Sequence, residues 1–253
     1  MPEGDTIHRI ARRMNAAFDG REIGLADAPS PRSPIHNRAA ELRGRTFGGA
    51  EARGKHLLVH FSGGVVLHSH LGMNGRWRVS ADGRAPPGRP WIRIGSGPAV
   101  AAQTGGKLLR LVSESRARND PGLLQLGPDP LRPGFDVAAA ARRLLQTQPS
   151  REVGDALLDQ RLIAGIGNAI RNEACFAAAV SPFRRVGELE AAESFALVQE
   201  ARRIMLVAVE TGRRPHQVYR AERRPCPRCG GRIAVRAQGD DGRAAYWCPG
   251  CQR

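Results

Sequence analysis

Cys226-Pro-Arg-Cys229 and Cys248-Pro-Gly-Cys251 stand eighteen residues apart. Two Cys-x-x-Cys pairs at that separation supply the four thiolates that one tetrahedral zinc ion needs. Cys226, Cys229, Cys248 and Cys251 are therefore predicted to hold a single structural zinc. Between the pairs, Arg232–Arg236 alternates, Gly239-Asp-Asp-Gly242 turns, and Arg243–Trp247 returns, the pattern of a β-hairpin. The result is a zinc ribbon with Arg243 at its tip, where a cation can enter a nucleic-acid groove. The other end of the chain offers a different chemistry. Trimming of Met1 from Met1-Pro2-Glu3 leaves a secondary amine, and attack of that amine on an aldehyde carbon gives an iminium. The iminium is an electron sink that acidifies the neighbouring sugar carbon and lets phosphate leave. Glu3 can donate or accept a proton one residue away, and a helix N-terminus there disfavours the protonated amine. A third constellation is Leu157-Leu-Asp-Gln160 followed by Gly165-Ile-Gly-Asn168. Gly165 and Gly167 permit positive φ and close approach to a phosphate, and a helix starting at Asn168 points its free N–H groups at the same place. Read singly, each of the last two has a plain alternative: a common chain start, and a helix corner packed through glycine.

The bulk composition favours a polyanionic partner. The 253 residues carry 39 Lys and Arg against 24 Asp and Glu, a formal charge of +15, which points to DNA or RNA before an anionic membrane. No apolar run approaches spanning length and no signal-peptide pattern opens the chain. With four of five cysteines assigned to metal, Cys175 is left as a buried, inert thiol in an apolar helix, in a reduced, intracellular protein. Lysine occurs only at Lys55 and Lys107. In a chain so biased toward Arg, Lys55, in the turn Arg53-Gly-Lys-His-Leu57, hints at a site that needs a compact ammonium, whereas Lys107 reads as an ordinary strand start.

These groups must be positioned by two kinds of structure. Ile7, Ile10, Ala11, Met14 and Phe18 share one face of an N-terminal helix. Short alternating strands follow over 57–61, 65–70, 77–79, 91–94 and 108–112, which predicts an antiparallel sandwich or barrel. The Pro-rich passage Gly127–Gly134 marks a boundary. Beyond it the pattern is helical, over 137–145, 153–162, 169–180 and 188–211, the last closed by Gly212.

Taken in order, Pro2-Glu-Gly-Asp-Thr6, Arg53-Gly-Lys-His-Leu57, Ser69-His-Leu-Gly-Met73, Leu126-Gly-Pro-Asp-Pro130, Leu157-Leu-Asp-Gln160 with Gly165-Ile-Gly-Asn168, and Arg243 with Trp-Cys-Pro-Gly-Cys-Gln252 resemble the formamidopyrimidine-DNA glycosylase and endonuclease VIII family from end to end. The opening looks like the endonuclease VIII branch. The resemblance implies an α+β multidomain fold: an N-terminal β-sandwich with an N-terminal helix over 1–130, a helical helix-two-turn-helix domain over 131–222, and a zinc ribbon over 223–253. It implies Pro2 as nucleophile at the sugar C1′, Glu3 as proton donor, Lys55 and Asn168 against DNA phosphates, and Arg243 on the phosphate beside the lesion. Met73 is the candidate wedge that fills the gap left by the extruded nucleotide, with Leu71 and Asn74 behind it. The purine-repair branch usually carries an Arg-x-Phe-Gly wedge in the stretch matching Arg116–Gly122, and this chain has no aromatic there. The implied activity is a bifunctional DNA glycosylase and abasic-site lyase that removes oxidised pyrimidines and nicks by β,δ-elimination. It would work as a monomer on damaged DNA, in the cytoplasm at the nucleoid, with no membrane association and no cofactor beyond zinc. Its rivals are the same chemistry on oxidised purines, a non-catalytic zinc protein that binds damaged DNA, and a generic RNA-associated zinc ribbon. His68 and His70, two apart on a strand, lack a third ligand and read as structural.

Overall fold

The first helix forms where the periodicity places it. α1 (Gly4–Phe18) buries Ile7, Ile10, Ala11, Met14 and Phe18, a stripe at i, i+3 and i+4 that commits one face to the core. The protein is seen in a computed structural model that describes residues 2–84 and 88–253; Met1, whose removal the chemistry at Pro2 requires, lies outside the described residues.

The chain divides into two compact units, Met1–Leu124 and Gln125–Arg253. In the first, β1 (Leu25–Asp27), β2 (Phe47–Arg53), β3 (His56–Phe61), β4 (Val65–His70), β5 (Arg76–Ser80), β6 (Ile92–Ser96), β7 (Ala99–Thr104) and β8 (Leu108–Ser113) follow α1. They form two four-stranded antiparallel sheets, of order β1-β6-β7-β5 and β2-β3-β4-β8. Side chains from both sheets and from α1 enter one core, with Leu57, Val59 and Leu67 meeting Ile92, Ile94, Met14 and Phe18. This is the expected β-sandwich with its N-terminal helix. Burying each such side chain contributes roughly 1.5–3 kcal/mol, so α1 is anchored mainly by tertiary packing. A second tie is polar: the Asn15 side chain accepts from Ala50 N–H at 2.7 Å and donates to Ala50 C=O at 3.0 Å. It does so beside a bulge in β2, where Gly49 takes φ 127°. Strands β1, β2 and β7 were not expected. Phe47-Gly-Gly-Ala and Ala99-Val-Ala-Ala have low intrinsic β-preference, and pairing with neighbouring strands overrides it. Two short helices, α2 (Glu114–Arg118) and α3 (Pro121–Leu124), close the unit.

The second unit contains α4 (Val137–Leu145), α5 (Val153–Ala156), α6 (Asn168–Ala177) and α7 (Ala191–Thr211), then a hairpin of β9 (Ala234–Gln238) and β10 (Arg243–Trp247). Leu144, Val153, Ile163, Ile170, Leu197 and Ile204 share its main core. The hairpin joins α6 through a smaller one, in which Phe176 meets Val218, Cys226, Ile233 and Cys248. The division falls before residue 130 for a specific reason. Gly127 N–H donates to Gln160 C=O at 2.9 Å and Ala164 N–H donates to Pro128 C=O at 3.0 Å, so the Pro-rich passage is built into the second unit. A Cβ on Gly127 would lie 2.5 Å from Leu162 C=O. Helix bounds shift as well. α5 stops at Ala156, not Leu162, and α7 begins at Ala191, where Glu190 and Glu193 form a capping box.

Candidate active site and nucleic-acid interface

Pro2 and Glu3 lead into α1. Glu3 is its N-cap: the Glu3 carbonyl accepts from Thr6 N–H at 3.0 Å and Ile7 N–H at 3.2 Å, and the residue is fully buried. Pro2 is half-buried and lines a cavity of about 600 Å3 with Met73, Asn74, Arg9, Arg13 and Arg76. Extended main chain at Glu3 (φ −123°, ψ −175°) turns Pro2 off the helix axis, while the loop between β4 and β5 brings Met73 to the same cavity. Met73 is 72% exposed, a rare state for a large apolar side chain, and Asn74 is also exposed. Leu71 is corrected. It is 1% exposed and belongs to the sandwich core, so it floors the cavity and cannot leave the core to enter a base stack. Pro2, Met73 and Asn74 are thus brought together.

Lys55 stands in the two-residue turn between β2 and β3, where Arg53 pairs with His56 and Gly54 takes φ 57°. Behind the turn lies a network that the sequence did not reveal. Strand register sets His56 opposite His70 and His68 opposite Arg110. Arg110 Nε donates to His68 Nδ1 at 3.3 Å, His68 Nε2 meets His56 Nδ1 at 2.9 Å, and Arg110 is also paired with Asp120. The His70 ring lies 4.7 Å from that of His56, and His70 Nδ1 accepts from Gly72 N–H at 3.1 Å. With Arg110 holding Nδ1, the His68 proton sits on Nε2 and is donated to His56. Burial holds all three imidazoles neutral: it lowers the pKa of His56 to about 3, helped by the neighbouring His70 and His68. It lowers His68 to about 4, with Arg110 assisting, and His70 to about 4, with Lys107 and Lys55 assisting. His68 and His70 both belong to this imidazole network with His56. Register, not spacing, makes the cluster, so only knowledge of the sheet could have found it.

The glycine turn of the second unit is knitted by Gln160. Its amide donates to Leu158 C=O at 2.8 Å and Ile166 C=O at 2.9 Å, and its oxygen accepts from Gly165 N–H at 2.9 Å. Gly165 takes φ 90° as expected, but Gly167 is extended at φ −120°. Gly167 acts as the N-cap of α6, where the missing side chain leaves the helix end uncapped. Asn168 opens α6 as predicted. Its side chain is buried, donates to Ala244 C=O at 3.0 Å and accepts from the buried Arg171 guanidinium. Arg171 also reaches Gln238, so the start of α6 and the hairpin are fixed as one piece. Arg243 stands first in β10, 39% exposed at its side chain, and its guanidinium holds Asp241 through Nε at 3.2 Å and Nη2 at 3.0 Å. Arg171 and Gln238 were missed because 67 residues separate them.

The four cysteine sulfurs Cys226, Cys229, Cys248 and Cys251 lie within 4.8 Å of one another, the one such cluster of metal-ligand side chains among the described residues. Sulfur–sulfur distances of 3.8 Å and 3.5 Å match the roughly 3.8 Å edge of a tetrahedron with 2.3 Å metal–sulfur bonds, so the donor set fits a tetrahedral metal ion. Cys175 is fully buried, and burial pushes its thiol up to about 12, as suits an inert side chain. No helix among the described residues is long and apolar enough to cross a membrane.

Residues 1–111 match the family model described as the formamidopyrimidine-DNA glycosylase N-terminal domain, and residues 126–219 the one described as the formamidopyrimidine-DNA glycosylase H2TH domain. A protein named probable endonuclease 8 2, from Streptomyces coelicolor, is 41% identical across all of this chain and 94% of its own length. A DNA-(apurinic or apyrimidinic site) lyase from Mycolicibacterium smegmatis is 35% identical, over 100% and 99%. A formamidopyrimidine-DNA glycosylase from Rhodopseudomonas palustris is 32% identical over the whole of both chains. The Lactococcus lactis formamidopyrimidine-DNA glycosylase, solved with DNA containing an oxidised pyrimidine, superposes with a TM-score of 0.84 at 24% identity, over 100% of both chains.

Proposed function

The chain belongs to the formamidopyrimidine-DNA glycosylase and endonuclease 8 family, and on that premise we propose that it is a DNA repair glycosylase and abasic-site lyase that removes oxidised pyrimidines. The observation that carries the reading is the position of Pro2: the first residue able to offer a secondary amine opens on a cavity, beside the fully buried Glu3. After loss of Met1, the Pro2 nitrogen attacks C1′ and the base departs with the electron pair of the glycosidic bond. The amine proton goes to the departing base, the nitrogen lone pair opens the C1′–O4′ bond with O4′ taking a proton, and the ring-opened sugar is left as an iminium on Pro2. Glu3 serves as the proton donor and acceptor at this stage. Loss of the C2′ proton then feeds the iminium, and the C3′–O bond breaks with its pair leaving on phosphate. Loss of the C4′ proton and cleavage of C5′–O complete the δ step, and water releases Pro2.

Lys55, Asn168 and Arg243 hold the DNA backbone, with the uncapped start of α6 and the turn at Gly165 and Gly167 supplying N–H groups to a phosphate. Met73 fills the space vacated by the extruded nucleotide. Cys226, Cys229, Cys248 and Cys251 bind one zinc ion, which when bound fixes the hairpin that carries Arg243. The protein acts as a monomer on damaged DNA in the cytoplasm, at the nucleoid. Pyrimidine preference is supported by the stretch Arg116–Gly122, which has no aromatic and folds as the short helices α2 and α3, so the purine-branch wedge has no counterpart. Borohydride reduction during turnover of an oligonucleotide with one oxidised pyrimidine tests the reading. An adduct that maps to Pro2 is expected, and binding without any adduct would leave a damaged-DNA-binding protein in its place.

A further inference from the structure

The imidazole network behind Lys55 ends in a donor that the reaction above does not use. A guanidinium can only donate, so the contacts from Arg110 at 3.3 Å and 3.1 Å leave His68 Nδ1 without a proton. His68 therefore donates from Nε2 to His56 Nδ1, at 2.9 Å. A ring nitrogen that accepts holds no proton either, so the one proton of His56 sits on Nε2. Asp120 fixes the far end of this chain by pairing with Arg110, and the His70 ring, at 66° to that of His56, borders the near end. His68 is fully buried and His56 half-buried. His56 Nε2 has no hydrogen-bond partner among the described residues, yet it is not shut away from solvent. The residue directly follows Lys55, about 3.8 Å along the main chain, where β3 leaves the turn.

We propose that His56 donates its Nε2–H to a DNA backbone phosphate beside Lys55, with His68, Arg110 and Asp120 as the positioning residues that fix its tautomer. The inference rests on the DNA-repair reading and deepens it. Lys55 and His56 then hold the backbone by different physics. The ammonium displaces counterions from the DNA, and each phosphate neutralised adds about −0.9 to the slope of log K against log salt. The imidazole brings no charge, because burial holds it neutral, so its hydrogen bond adds affinity without adding to that slope. Rings and a guanidinium locked by strand register also give this donor one direction, which a flexible lysine lacks.

The test is a salt series of equilibrium binding on the full chain, with a duplex that carries one tetrahydrofuran abasic analogue and undergoes no reaction. Each variant is compared below its own thermal transition. His56→Phe, which keeps a ring and removes the donor, should weaken binding about ten- to a hundredfold, the range of a hydrogen bond to a charged group, with the salt slope unchanged. His56→Gln, which keeps a terminal N–H, should recover part of the loss. Lys55→Gln should instead reduce the magnitude of the slope by about one. His68→Leu should weaken binding as well, and should add nothing to His56→Phe. Wild-type affinity in His56→Phe would overturn the proposal. So would a slope that falls as in Lys55→Gln, since His56 would then only place the lysine, or full additivity of the His68 and His56 changes. A wild type that fails to bind the duplex would remove the DNA reading itself, which every other outcome leaves standing.

Discussion

The two ends of this chain hold their functional groups by opposite means. At the N-terminus, Pro2 and Glu3 lead into a helix whose position depends on strands that begin 30 or more residues later; Asn15 closing on Ala50 is one such tie. At the C-terminus, Arg243 is carried by a hairpin whose four cysteine anchors fall within 26 residues, from Cys226 to Cys251. The first arrangement draws its stability from a large apolar core and needs nothing bound. The second has a core of only five buried residues, and small cores of that kind depend on a metal for their fold. Damage to the first should therefore appear as lost chemistry on a folded protein, and damage to the second as lost structure together with lost DNA binding.

The largest expected effect is at Pro2. Pro2→Gly should lower covalent trapping by at least about a thousandfold, with the thermal transition and duplex affinity near wild type; trapping that persisted would place the nucleophile elsewhere. Next, Cys248→Ser should cost several kcal/mol in the second unit, on the order of a third of the roughly 10–16 kcal/mol that four-ligand zinc sites contribute. DNA affinity should fall about a hundredfold with it, and a fully active variant would remove the metal from the account. The first unit also carries a pH signature of its own, set by histidines. His56, His68 and His70 titrate near 3–4 when folded, against 6.5 ordinarily. The unfolded chain thus takes up protons that the folded chain refuses, so stability is complete above about pH 6.5 and declines as pH falls toward 4. Melting should weaken steadily over that interval, less so in His56→Gln; a flat profile would break the assignment. The smallest effect is at the hairpin tip. Asp241 holds Arg243 through an exposed ion pair, so Asp241→Asn should tighten duplex binding by roughly two- to fivefold, the scale of a surface pair.

The same contrast governs how much could be read from sequence. The cysteine pairs, the hairpin and Arg243 were legible because ligand spacing and turn residues are local. The turn at Gly165 was legible for the same reason, although Gly167 proved to be an N-cap and not a left-handed residue. α1 was legible through its periodicity, and so was the sandwich class. The strands built from Gly and Ala were not, because their partners and not their residues make them strands. The shortening of α5 was hidden in the Gln160 side chain, which captures the Leu158 carbonyl that a longer helix would have used. Leu71 and Met73 look alike in sequence, two apart in one loop, and only the fold sends one inward and the other out. The histidine cluster and the meeting of Arg76 with Arg9 and Arg13 require strand register or tertiary approach, which no local pattern encodes.

The burial of Cys175 gives the protein an internal clock for its own opening. A thiol held near 12 in the last turn of α6 is silent toward alkylating reagents as long as that helix stays packed. After chelation, four cysteines react on the timescale of the hairpin and the fifth only when the helical core itself comes apart. Counting alkylated sulfurs by mass against time therefore separates fraying of the ribbon from collapse of the unit that bears it, in one sample and without a label.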